Sequence, residues 1–131
     1  MAAIGRRNVQ EQNADAKAVI RATASLFNDD PLRFSWLSDV LLANSLSPQE
    51  GILVSLSSIP DEGGELYSGL WLTSHRQFFK FSVLLPRNGS EVEVEEWCNV
   101  TNDIIVAARR PGTGKSFGLL SLEVLDELKE S

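Results

Sequence analysis

An α+β fold is the expectation for this 131-residue chain: N-terminal helices packed on a four- to five-stranded antiparallel meander sheet, closed by a C-terminal helix. Three observations lead there. Apolar residues recur at spacings of three and four up to Ala43, alternate with a period of two from Gly51 onward, and return to helical spacing after Ser116. The connections inside the alternating stretch are short, so successive strands must run antiparallel; parallel neighbours need long crossovers. The length suits one domain, residues 1–131, and a composition of 43% hydrophobic and 23% charged residues is that of an ordinary globular core.

Each element has its own signal. Residues 8–28 place Val9, Ala16, Val19, Ile20, Ala24 and Phe27 on one stripe, which predicts an amphipathic helix. Asp29, Asp30 and Pro31 then stop it and supply an N-cap acid and a first-turn proline for a second helix over 31–43, carrying Leu32, Phe34, Leu37, Val40 and Leu41. Strands follow at 52–59, 65–73, 77–85 and 91–100. They are divided by the turn cluster 60–64, by Ser74-His75-Arg76, and by Pro86-Arg87-Asn88-Gly89, whose Asn-Gly pair is a strong hairpin signal. Residues 102–108 fit either a fifth strand or a short helix, 109–115 a loop. Residues 116–130 close the chain as a helix, with Phe117, Leu120, Val124 and Leu128 in one stripe and Ser116 as its cap.

Strand alternation assigns side chains to faces. One face collects Ile52, Val54, Leu56, Leu66, Leu70, Leu72, Phe79, Phe81, Val83, Val92 and Val94, and is expected to meet the helices. The other collects Ser55, Ser57, Tyr67, Trp71, Phe78, Lys80, Ser82, Glu91, Glu93 and Glu95. A two-residue turn at Asn88-Gly89 would set Val83 opposite Val94 and Lys80 opposite Trp97. The expected site is therefore a patch of Tyr67, Trp71, Phe78 and Trp97 beside Lys80 and the carboxylates of Glu91, Glu93 and Glu95. Aromatic anchors next to charge are typical of protein-binding surfaces; the alternative is a second small core beneath the last helix or residues 101–110.

Composition narrows the chemistry. One Cys and one His exclude a disulfide framework, a Cys-built metal site and a multi-histidine centre, so no cofactor or metal is expected. Acidic residues number 18 against 12 basic ones, a net charge of −6, which opposes non-specific phosphate binding and argues against a nucleic-acid partner. The acidity concentrates in residues 51–100, where seven Asp and Glu face three Lys and Arg. No apolar run is long enough to span a membrane. The N-terminus lacks the apolar core of a secretory signal, and Cys98 has no partner cysteine, so a cytoplasmic location is expected, with the sequons at Asn88 and Asn99 unused.

Three motifs invite stronger readings and fail on spacing. Pro111-Gly112-Thr113-Gly114-Lys115-Ser116 resembles the end of a phosphate-binding loop, but Arg109 stands where the pattern needs its first glycine, and too little chain follows to build the parallel sheet. Cys98 and His75 could approach each other across the ladder, yet no third orienting group or oxyanion donor accompanies them. The glutamates at alternate positions lie roughly 6.6 Å apart on one face, too far to share one metal ion.

The order of elements resembles helix-plus-curved-sheet folds of the cystatin or NTF2 type, and the small acidic class I secretion chaperones. The chaperones interrupt their strands with a helix that no segment between Leu85 and Glu91 supplies, and no residue motif accompanies either likeness. The leading expectation is a non-enzymatic interaction protein that offers the acidic-aromatic sheet face to a basic protein partner, of which an immunity protein neutralising a toxin is one form. The alternatives are a small-molecule or enzymatic pocket between curved sheet and helices, lined by Trp71 and Trp97, and a homodimer that buries the aromatic face.

Overall fold

A computed structural model describes residues 9–89, 91–100 and 116–130. Helices α1 (Val9–Asp29) and α2 (Ser35–Ala43) precede strands β1 (Gly51–Asp61), β2 (Gly64–Thr73), β3 (Phe78–Pro86) and β4 (Glu93–Asn99), and helix α3 (Phe117–Glu130) ends the described chain. The strands form one antiparallel sheet in the order β1-β2-β3-β4. The α+β class and the meander are as the sequence predicts. The stretch weighed as a fifth strand, 102–108, and the phosphate-loop-like residues up to Lys115 lie outside the described residues.

Local chemistry sets the helix limits. The Asp30 carboxylate accepts the Arg33 backbone N–H at 3.3 Å, so residues 31–34 form a turn and the second helix begins four residues later than Pro31 suggests. Ser116 Oγ accepts the Leu119 N–H at 3.2 Å and caps α3. Buried Ser121 spends its hydroxyl on the Phe117 carbonyl at 2.9 Å, which removes the cost of burying it. On α1, Ala16, Ile20, Ala24 and Phe27 face inward, whereas Val19 is 65% exposed. Across α1 and α3, Glu127 accepts from Lys17 and Arg21, and these hydrogen bonds hold its carboxyl below the usual glutamate range.

The sheet has apolar side chains on both faces. Ile20, Ala24, Leu120 and Val124 pack with Ile52, Val54, Leu72 and Phe78 beneath α1 and α3. Phe34, Trp36, Leu37 and Leu41 of the α2 segment pack with Leu53, Trp71, Phe81 and Val83 on the reverse face. The molecule is thus three layers, with helices on each side of the sheet, rather than the two-layer arrangement that one-sided alternation implies.

Candidate functional site

The expected aromatic-acidic patch does not form one surface. Pairing aligns Trp71 with Phe79 and Phe81 with Trp97, so Tyr67, Trp71 and Trp97 lie on the α2 side. Phe78 and Lys80 pair with Leu72 and Leu70 and lie on the α1–α3 side, together with Glu93, which pairs with Leu84. Trp71 and Phe78 are both fully buried, which removes them from any surface. Glu91 is exposed and precedes β4; Glu95 is the extra residue of a bulge.

Two bulges and one turn produce the difference. Val83 does face Val94 as predicted, but the bulge at Glu95 then advances β4 by one residue, so Lys80 meets Cys98 and Trp97 meets Phe81. A one-residue slip moves every later side chain to the other face. A second bulge at Val54 sends Leu56 to the α2 core while Ile52 and Val54 stay beneath α1. The turn that hydrogen-bonds Thr73 N–H to Gln77 C=O at 2.9 Å pairs Leu72 with Phe78, so Phe79 and Phe81 leave the face of Leu66, Leu70 and Leu72. Cys98, lying against Lys80, is also out of register with His75 in that turn.

The aromatics build the second core. Trp36 and Tyr67 ring centroids lie 5.0 Å apart, Phe27 meets Trp71 edge-on at 5.3 Å, and Trp97 stacks over Phe79 and Phe81 at 5.4 and 6.0 Å. Gly69, opposite Phe81, makes room for that ring: an added Cβ would lie 2.8 Å from Phe81 Cζ and 2.3 Å from the Ser55 carbonyl oxygen. Partial burial raises the Tyr67 phenol pKa, helped by the Glu65 carboxylate, which accepts its O–H at 3.3 Å.

What remains open is half of the α1–α3 face. The helices cover Ile52, Val54, Leu72 and Phe78, and Leu70 packs at the margin of that core. Beyond it the register lays three rows across the sheet: Ser55, Leu70, Lys80 and Cys98; Ser57, Ser68, Ser82 and Glu96; Ile59, Leu66, Leu84 and Glu93. Ile59 is 59% exposed, and Leu66 and Leu84 are half-buried and belong to neither core. Ser55, Ser57, Ser68, Leu70 and Lys80 line a shallow trough of about 210 Å³. Ser68 and Ser82 hydroxyls lie 3.3 Å apart, and Ser57 Oγ donates to the Ser68 carbonyl at 3.4 Å.

Acid borders this trough. Lys80 reaches Glu96 at 3.6 Å, an exposed pair of little energetic consequence, while Glu91, Glu93 and Glu95 have no ion-pair partner among the described residues. Of the predicted site residues, Lys80 and Glu93 stay together here, beside Ser55, Ser57 and Ser82. Ser68 and Leu84 carry no signal that marks them in the sequence, and Leu66, expected with Leu70 and Leu72 beneath the helices, lies beyond the part of that face the helices cover.

A separate cleft of about 390 Å³ opens between the end of α1, the α2–β1 loop and α3, lined by Asn28, Gln49, Gly51, Ile52, Leu125 and Lys129 among others. Its ammonium group is engaged, since Lys129 donates to the Ser74 carbonyl at 2.7 Å. Neither Trp71 nor Trp97 lines it. Among the described residues no three His, Cys, Asp or Glu side chains converge as metal ligands would, and no helix is long and apolar enough to cross a membrane. Comparison with protein-family models, curated proteins and solved structures finds no match to this chain.

Proposed function

We propose that this chain is a non-enzymatic protein-binding module whose open half-sheet receives a basic protein partner. The observation that carries the reading is the combination on one face of exposed Ile59, half-buried Leu66 and Leu84, a floor of serines, and glutamates along the β4 side. Apolar area next to small hydroxyls can be desolvated at low cost, because serines that hydrogen-bond locally leave few donors stranded. The carboxylates steer a basic partner and reject acidic ones more than they add raw affinity. A toxin-neutralising role is a specific form of this reading, in which the partner is a basic enzyme such as a nuclease.

The test is capture from the source cell at low salt with the wild-type chain and with a Glu93→Lys, Glu95→Lys double variant. A stoichiometric basic partner, held by the wild type and lost by the folded variant, is the expected result. Finding no stoichiometric partner, or equal retention by both chains, overturns the reading. The second reading, a small-molecule pocket, draws support from the 390 Å³ cleft at the helix ends, a volume within the usual range for ligand sites. Its partly apolar lining, Ile52 and Leu125 included, would favour a small amphipathic molecule, and thermal stabilisation by such ligands, lost in Leu125→Arg, would distinguish it.

A further inference from the structure

We propose that the segment occupying the open half-sheet is an amphipathic helix with one basic flank, laid on the sheet beside α1 and α3. The inference rests on the protein-binding reading and specifies the form its partner takes.

Backbone chemistry points away from an added strand at this surface. The trough lies over β1, β2 and β3, and β2 and β3 are hydrogen-bonded to neighbours on both sides. Their amides are spent, so the face can recognise side chains only. The same face is already covered, at its other end, by two helices, and a third would extend that layer with the same spacing. The row of Ser57, Ser68 and Ser82 carries small side chains between the larger ones of Ile59, Leu66 and Leu84 on one side and Leu70 on the other, and Ser57 and Ser68 line the trough. A helix of about 10 Å diameter can set one ridge of apolar side chains into that depression.

Charge fixes which helix. Glu93 and Glu96 occupy successive rows of the open face on β4, on the order of 6–7 Å apart along the strand. That interval is close to the roughly 5–6 Å between residues one turn apart on a helix, so Lys or Arg at positions i and i+4 can meet both carboxylates. Lys80 already neutralises part of Glu96, which leaves the Glu93 end as the stronger attraction. A second copy of this chain does not suit the face. Each copy carries a net charge of −6, so a copy lacks the net basic character that the β4 carboxylates attract.

Two synthetic peptides of equal length and identical Leu and Lys content test this. In one the leucines follow helical spacing; in the other they alternate. Each is titrated calorimetrically against the full chain at low salt. The helical-order peptide is expected to bind about tenfold more tightly than the alternating one and to gain helical circular dichroism on binding. Ser68→Arg, which fills the trough, and Glu93→Lys, which leaves it empty but reverses the flank, should each weaken binding by about tenfold while the far-ultraviolet spectrum of the protein stays unchanged. Equal binding of the two peptides, or indifference to both substitutions, overturns the helix inference. If the peptides fail while a basic partner is still captured from the cell, the helix inference falls and the protein-binding reading stands. If no partner is captured either, both fall.

Discussion

Three aromatic residues in β3 separate the three-layer fold from a one-sided sheet. Alternation applied to the sequence puts Phe79 in the core and Phe78 on the open face; the structure reverses them, with Phe78 fully buried beneath α1 and α3 and Phe79 half-buried against Trp97. Phe78→Ala deletes a ring with no solvent exposure, between Leu72 and the α1–α3 helices, and should cost about 3–5 kcal/mol, a large part of the 5–15 kcal/mol typical of a domain. Phe79→Ala removes a ring that already touches water. Its loss is partial burial plus one stacked pair, about 1–2 kcal/mol. Urea titrations followed by circular dichroism give both values under one protocol. Fluorescence supplies an independent check, since only Phe79→Ala strips a stacking partner from Trp97 and should change its emission in the folded state. If Phe79→Ala proves as costly as Phe78→Ala, the face assignment is wrong, and the open serine trough goes with it.

Gly69→Ala should destabilise by about 1–3 kcal/mol, because its new methyl group would sit 2.3 Å from a backbone oxygen that cannot rotate away; a loss below about 0.5 kcal/mol, the usual scatter of surface substitutions, would mean β1 and β2 are not in this register. Glu127→Gln should lower stability at neutral pH and make no difference in strong acid. The folded carboxyl titrates below its unfolded counterpart, so its contribution is present above the unfolded pKa and disappears as pH falls through the folded one; urea midpoints of both proteins at several pH values measure this. Tyr67 is the single tyrosine, so alkaline absorbance titration reads it alone. Its folded pKa is raised, hence the stability it adds holds below the usual phenol range and is lost as pH climbs through the folded value, and Glu65→Gln should bring the titration back toward normal.

Much of the fold was legible because its signals are local. The apolar stripe of α1 and the Ser116 cap each act within a few residues, and Val83 stands opposite Val94 as expected. The acid along β4 and the serines at 55, 57 and 82 were also visible as one polar set. The aromatics were misplaced, and Trp71 and Trp97 show why. Both stand in strands that read as one-sided, but the α2 segment covers the second face, so rings that look surplus to one core are the substance of another.

Composition and spacing by themselves determined the element types, the antiparallel meander, the net acidity and the single Cys and single His, because propensity, turn chemistry and charge are properties of neighbouring residues. Only the tertiary structure decided which face each strand presents. Side-chain parity over a whole strand depends on single-residue events, the bulges at Val54 and Glu95 and the turn after Thr73, and these are selected by how well Trp71, Phe78 and Phe81 fill the space between three layers rather than by the residues at the bulges themselves.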